Sequence, residues 1–467
     1  MFKAQTYVSR RNELSKRIGN GIILFPGNSF ASRNYPNNAY TFRQDSSFLY
    51  FFGLNLPDMF GIIDTESQES ILFGNDVTVD DIIWMGPQPE VSELAASVGV
   101  TKSFPLSKVK DFISKAQQQK REIHFLPPYR SLTKIQLSDI LGKSVQEVEQ
   151  GRSVDLMFAV AEMREVKSEE EIEELQKIQD VGYLMHTTAM HMCREGVVER
   201  EIVGVLSGIT KSYGLDVSFE TIVSQHGETL HNTNCDGILK NGRLLLVDAG
   251  AESLTNYCSD HTRTFPISGK FTQKQKDIYE IVLRAHNLVP LAMKTGARYH
   301  EDVHLLAYRY LAEGLKEVGL IKSSAEDAVA AGAMYLFMPH GLGHGLGMDV
   351  HDCEAFGERS FDFTNFLDRA RRSATCTHRA TWVLHNGTVL SDEPGIYFIP
   401  ALIDKCEAEG KFRGIVNYEL LKDYRDFGGI RIEDDILVRD NGGIMLGKKR
   451  IPVKVEEVEE EVGKQIL

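Results

Sequence analysis

Tryptophan occurs only twice in the 467 residues, and cysteine six times. The cysteines (193, 235, 258, 353, 376 and 406) are scattered without a CxxC pair, which argues against a zinc ribbon or a disulfide framework and for a reducing, cytoplasmic setting. No apolar run approaches the roughly 20 residues of a membrane-spanning helix. The stretch from Met1 to Ile18 is polar, with Arg10, Arg11, Lys16 and Arg17, and does not resemble a signal peptide. A basic excess is also lacking. Against 66 Asp and Glu stand 52 Lys and Arg, a net charge of −14, so neither nucleic acid nor an anionic membrane is expected as the main partner. No short-period repeat or low-complexity segment is visible. What remains is a soluble globular composition, 42% hydrophobic and 25% charged, in a chain too long for one average domain.

The pattern predicts an α/β (α+β) fold in two domains, 1–165 and 166–467. In the first, a helical stretch from Arg10 to Ile18 precedes an apolar strand between Gly21 and Gly27, an aromatic run from Phe48 to Phe52, and strands at Gly61–Ile63 and Ser70–Phe73. The aromatic run is expected to be core rather than a ligand platform, and this domain carries no convincing chemistry. The second opens with a capping box, Ser168 and Glu171, ahead of a helical apolar face. Helices are expected over Thr272–Met293 and Glu301–Leu315. Near the end, the valines of Val455–Val462 sit at helical spacing and suggest a solvated surface helix.

Four blocks of the second domain carry carboxylates or imidazoles. Asp248 closes the run Leu244–Val247, and a short polar turn through Glu252, Ser253, Thr255 and Asn256 leads to a second β-prone run from Tyr257 to Phe265 that includes Asp260. Alone, Asp248 could equally cap a turn. Downstream, His340, His344 and His351 lie in a segment with glycine at every second position from 341 to 347. That density means backbone passing close to something, and no GxGxxG register fits a dinucleotide loop. A loop bringing imidazoles to a metal or substrate is the better reading. Strand alternation then places Glu393 with Ser391 and opposite Asp392, and Arg431 with Glu433 opposite Ile430 and Ile432. Each block singly could be a solvated face; four in one chain point to a common site. Asp248, Asp260, Glu393 and Glu433 bring four negative charges and His344 a neutral nitrogen, a set that two divalent cations roughly 3.5–4 Å apart would balance. Hard oxygen donors without thiolate favour manganese, with cobalt or zinc able to substitute.

The order DAG, SDHTRTFP, PHGLGHGLGMDVHD, DEPGIY and GIRIEDD resembles the proline-specific pita-bread metallopeptidases, the aminopeptidase P and prolidase family. The N-terminal run from Phe42 to Gly53 is similar to the non-catalytic first domain of those enzymes, so the resemblance covers nearly the whole chain. It implies a C-terminal pita-bread catalytic domain behind a smaller N-terminal α/β domain that serves in oligomerisation and at the pocket rim. By motif, it implies that Asp248 binds one metal, that Asp260 and Glu433 bridge both, and that His344 and Glu393 complete the second. It also implies substrate-side roles for His231, His340, His351, Tyr397 and Arg431, with His231, His351 and Glu393 in the catalytic step. A metal-bridging hydroxide would attack the Xaa-Pro bond of proline-containing peptides, in a homodimer or homotetramer.

The segment 374–392 departs from the family. Ser391-Asp392 replaces the usual Thr-Val, Asn386 replaces a proline, and Arg379 stands where prolidases hold the peptide carboxylate. The loop from Asp248 to Asp260 is one residue longer than is common. The favoured activity is removal of the residue before proline at the N-terminus of peptides, and a prolidase restricted to dipeptides is the alternative. From another class comes a metal-free peptide-binding module, as in histone-chaperone relatives of the fold, which lose ligands that this chain keeps. A methionine-aminopeptidase role fits less well, since those enzymes generally lack the N-terminal domain.

Overall fold

The structure, a computed structural model, describes residues 1–356 and 383–464. These divide into two units, 1–164 with 353–356 and 165–352 with 383–464. In the first, helix α1 (Ala4–Ile18) begins well before Arg10, and strand β1 (Ile22–Pro26) follows. The aromatic run becomes helix α2 (Ser46–Phe52), because the Asp45 side chain accepts from the Phe48 amide at 2.9 Å and Gly53, in the left-handed region, ends it after two turns. Phe48, Phe51 and Phe52 are fully buried, so the run is core, as its composition suggests. With β2 (Phe60–Asp64), β3 (Glu69–Phe73), β4 (Lys102–Phe104) and β5 (Ile123–His124), β1 forms a sheet of order β4-β3-β2-β1-β5. Its inner pairs are antiparallel and its outer pairs parallel. Arg11 is buried and donates to the carbonyls of Phe51 and Val98, each at 2.8 Å, and burial lowers its pKa to about 10.

The second unit opens with α3 (Glu169–Met192), capped by Ser168 and Glu171 as the sequence predicts. Two three-stranded antiparallel sheets follow. One has the order β8-β7-β6, from β6 (Ile222–Ser224), β7 (Leu244–Ala249) and β8 (His261–Pro266). The other, order β9-β12-β13, comprises β9 (Val389–Asp392), β12 (Asp434–Arg439) and β13 (Gly442–Met445), while β10 (Gly395–Tyr397) pairs with β11 (Gly429–Arg431). Helices α4 (Gln273–Leu288) and α5 (Leu305–Glu317) pack over one continuous apolar core.

Three helical expectations change. The α-helix expected over Thr272–Met293 has Thr272 as its cap and stops at Leu288, since Pro290 cannot donate to the ladder and Val289–Ala292 tightens to a 3₁₀ turn. The helix expected from Glu301 starts instead with a π-helical turn, Tyr299–His304, before α5. The terminal helix Val455–Glu461 is not a solvated one: Val455, Val458 and Val462 lie in the main core, while Glu456 and Glu457 stay exposed. No described helix is long and apolar enough to cross a membrane.

Candidate active site

Strand β7 is buried along its whole length, as its unbroken Leu-Leu-Leu-Val run demands, and it pairs with β8 from Leu244↔Pro266 to Ala249↔His261. The connection is not the short hairpin turn expected. Residues 250–260 make a longer excursion in which Ala251–Glu252 pairs with Asp216–Val217. Gly250 makes this possible, because a side chain there would meet the Ser259 carbonyl oxygen at 1.8 Å. Asp260 therefore precedes β8 rather than lying inside it, and its amide donates to Asp435 Oδ2 at 3.1 Å.

The alternating glycines also find their reason. The segment 342–346 lies along the edge of β9, with Ser391 N donating to His344 O at 3.0 Å, Leu346 N to Val389 O at 3.0 Å and Glu393 N to Leu342 O at 2.8 Å. At Gly343 a Cβ would stand 2.0 Å from the Ser391 carbonyl oxygen. The glycines allow the backbone to run against the strand that carries Glu393, which puts His344 Nε2 3.6 Å from Glu393 Oε1 and 3.4 Å from Asp260 Oδ2. The Glu433 amide donates to the Thr262 carbonyl at 3.0 Å, which ties the fourth carboxylate to β8.

One pocket of about 600 Å³ is lined by Asp248, Asp260, His344, Glu393 and Glu433, together with His231, His340, His351 and Arg431. Asp260, His344 and Glu433 each offer a ligand atom within 4.8 Å of the others. The His351 ring stacks on His344 with centroids 3.8 Å apart. His340 Nε2 lies 2.9 Å from the Tyr397 hydroxyl, which accepts from Arg431 Nη1 at 2.9 Å. Arg431 Nη2 donates to Asp248 Oδ2 at 2.5 Å. His340 Nδ1 lies 2.6 Å from Gly341 O, a carbonyl that can only accept, so Nδ1 carries a proton and donates it there. Tyr397 itself is buried behind the pocket wall, where burial holds its pKa up. Arg379 lies outside the described residues.

This crowd of buried carboxylates is electrostatically unbalanced. Burial raises Asp248 to about 6 against the pull of Arg431, and burial raises Glu393 to about 7 against His344 and Arg431. Glu433 is pushed well above the usual range by burial and by Asp260 and Glu393. Burial opposes charge on His344, yet its Asp260 and Glu393 neighbours lift it to about 9. Asp248 Oδ1 and Asp260 Oδ1 are buried without a hydrogen-bond donor among the described residues. Orphaned acceptors in an oxygen-rich set suit hard divalent cations.

Several contributors carry no sequence signal of their own. Thr262 Oγ1 donates to Glu433 Oε2 at 2.6 Å and accepts from Arg431 Nε at 3.0 Å. Arg263 is completely buried and donates to Glu433 O and to Asp434 Oδ1, each at 2.7 Å. Asp392, the departure beside the ligand strand, faces away from Glu393 and meets His286 Nδ1 at 3.1 Å, while His286 Nε2 lies 2.9 Å from Asp434 Oδ2. The unusual charge is thus matched inside the core, among groups that also brace Glu433.

Residues 173–440 match the model of metallopeptidase family M24, and residues 7–124 match the aminopeptidase P N-terminal domain. A probable Xaa-Pro aminopeptidase of Fusarium vanettenii is 32% identical, over 90% of this chain and 87% of its own length. The Xaa-Pro dipeptidase of Homo sapiens is also 32% identical, over 94% of this chain and 88% of its own. A zinc-substituted Escherichia coli aminopeptidase P in complex with product superposes with a TM-score of 0.80 at 27% identity, covering 99% of this chain and 98% of that one. The chain therefore belongs to metallopeptidase family M24, an enzyme family, and is built like aminopeptidase P, with that enzyme's N-terminal domain ahead of the peptidase domain.

Proposed function

We propose that the protein is an Xaa-Pro aminopeptidase that removes the residue preceding proline from the N-terminus of peptides. The observation that carries this reading is the meeting of Asp260, His344 and Glu433 within 4.8 Å, in a pocket that Asp248 and Glu393 also line. A bound pair of divalent cations, for which manganese fits the oxygen-rich donors, would supply Lewis acidity to the scissile carbonyl and acidify a water. Asp248, Asp260, His344, Glu393 and Glu433 would hold that pair. Glu393, in the wall of the pocket, is placed to take the proton of the attacking water and return it to the prolyl nitrogen. That nitrogen has no hydrogen and must be protonated to leave. His351 and His231 would hydrogen-bond the scissile carbonyl and its surroundings. His340 and Arg431 would orient the substrate from the pocket wall, with Tyr397 behind them touching both.

A dipeptidase is the second reading, favoured by the equal identity to the human Xaa-Pro dipeptidase. In that case Arg379 would hold the substrate carboxylate. The deciding assay compares Xaa-Pro with Xaa-Pro-Xaa peptides in manganese. Tripeptide cleavage is expected; cleavage confined to dipeptides overturns the first reading, and a purified protein with neither metal nor activity overturns both in favour of a binding module. A cytoplasmic setting is supported by the five described cysteines, all free thiols. Self-association as a homodimer or homotetramer is supported by the helix Val79–Met85 of the N-terminal unit, which buries none of its residues and exposes Ile83 and Trp84.

A further inference from the structure

The π-helical turn Tyr299–His304 and helix α5 bring two polar side chains, His304 and Tyr308, onto one helix face four residues apart. Both are buried, at 1% and 5% exposure, and their rings meet edge to face with centroids 4.3 Å apart. Neither lines the catalytic pocket. Instead they grip the backbone on either side of His340. The Tyr308 hydroxyl donates to the Met338 carbonyl at 2.9 Å, and the Leu342 amide donates to His304 Nδ1 at 3.2 Å. Leu342 is held on both sides, since its carbonyl accepts from the Glu393 amide at 2.8 Å. The backbone of one residue, Leu342, therefore links His304 to the strand end that carries Glu393, and the clamped pentapeptide 338–342 carries His340, whose Nδ1 lies 3.6 Å from Glu393 Oε2.

We propose that His304 and Tyr308 are positioning residues of the peptidase reaction, clamping the 338–342 loop so that His340 and Glu393 keep their mutual geometry. A core histidine that only fills space would need ring volume. This role needs an acceptor at the Nδ1 position, and the two requirements separate experimentally. The inference rests on the proposed peptidase function, and its test reads both activity and the clamp itself.

The experiment compares His304→Leu, His304→Asn and Tyr308→Phe in the full-length, manganese-loaded protein. It measures kcat and KM on an Xaa-Pro-Xaa peptide, metal per chain, thermal midpoint and deuterium exchange of segment 338–342. For His304→Leu, kcat is expected to fall by about 10- to 100-fold, the scale for outer partners of a metal site, with metal content held and exchange of 338–342 accelerated. His304→Asn, whose amide oxygen can accept from Leu342, is expected to recover most of both. Tyr308→Phe deletes one oxygen and keeps the ring, so a lowered kcat with the same local acceleration supports the clamp even where His304→Leu fails to fold. Unchanged exchange and kcat in His304→Leu and Tyr308→Phe overturn the inference, as does an Asn variant no better than Leu. Should the wild type cleave no Xaa-Pro peptide, the proposed function falls, and exchange alone still decides whether the clamp exists.

Discussion

The titrating behaviour of the site belongs to single residues. Asp248 and Glu393 are raised by burial, to about 6 and about 7, and His344 is raised against burial by Asp260 and Glu393 to about 9. Each group binds more protons in the folded chain than in the unfolded one between its unfolded and folded pKa. The contribution of these three groups to the stability of the metal-free protein therefore falls as pH rises, through the window from about 4 to 9 that they span. Cations bound to the deprotonated carboxylates remove that penalty. Melting temperatures at pH 5, 7 and 9 are expected to descend with chelator and to flatten with manganese; parallel curves would contradict the assignment of these acids to a cation site. Replacement of His344 by alanine takes the one imidazole from the donor set. The expected result is loss of one ion of the proposed pair, read by metal analysis, with kcat lowered by about 100-fold or more, since Lewis-acid assistance is worth several kcal/mol.

Between residues and the whole lie the elements, where close approach decides what can change. With Ser391 O 2.0 Å from the place of its Cβ, Gly343→Ala must push the 342–346 segment off β9. A cost of about 1–3 kcal/mol is expected in chemical denaturation, with activity lost out of proportion because His344 and Glu393 face each other across that seam. Next to His351, the buried ion pair of Lys167 Nζ and Asp352 Oδ2, at 3.2 Å, fixes the end of the same loop. Lys167→Met takes the ammonium away from this buried carboxylate and is expected to lower stability in chemical denaturation, with partial rescue by Asp352→Asn; an additive double mutant would show that the pair is not coupled. These contacts also mark the limit of what is legible in the chain. Asp248, His344, Glu393 and Glu433 can be read because each sits in a short block whose strand or glycine pattern is local. The long excursion to Asp260 could not be foreseen, since it depends on Gly250 lying against Ser259 and on a pairing with Asp216–Val217. Nor could His304, whose role depends on a contact across 38 residues and on a π-helical turn with no sequence signature. The valines of 455–462 show the same limit, because helical spacing does not say whether a core is there to receive them.

At the scale of the molecule, the N-terminal unit has its own apolar core and sheet, and it also has a helix with no inward face. Val79–Met85 holds a full capping box, with the Thr78 amide donating to Asp81 Oδ2 at 2.8 Å, so the helix is locally well made. Its side chains nonetheless contribute nothing to the core, and Trp84 is 87% exposed beside Ile83 at 70%. Seven residues cannot supply the roughly 800 Å² per partner of a stable interface, so the helix would anchor a wider contact of the N-terminal unit. The exposed tryptophan in its last turn is the residue type that dominates such contacts. The double substitution Ile83→Glu and Trp84→Glu is expected to shift sedimentation equilibrium towards a smaller species while changing folding stability by no more than about 0.5 kcal/mol, because nothing in the unit's core is disturbed. An unchanged mass distribution would overturn the proposed self-association through this helix, and a lowered melting temperature in dilute protein would show that the helix supports its own unit after all.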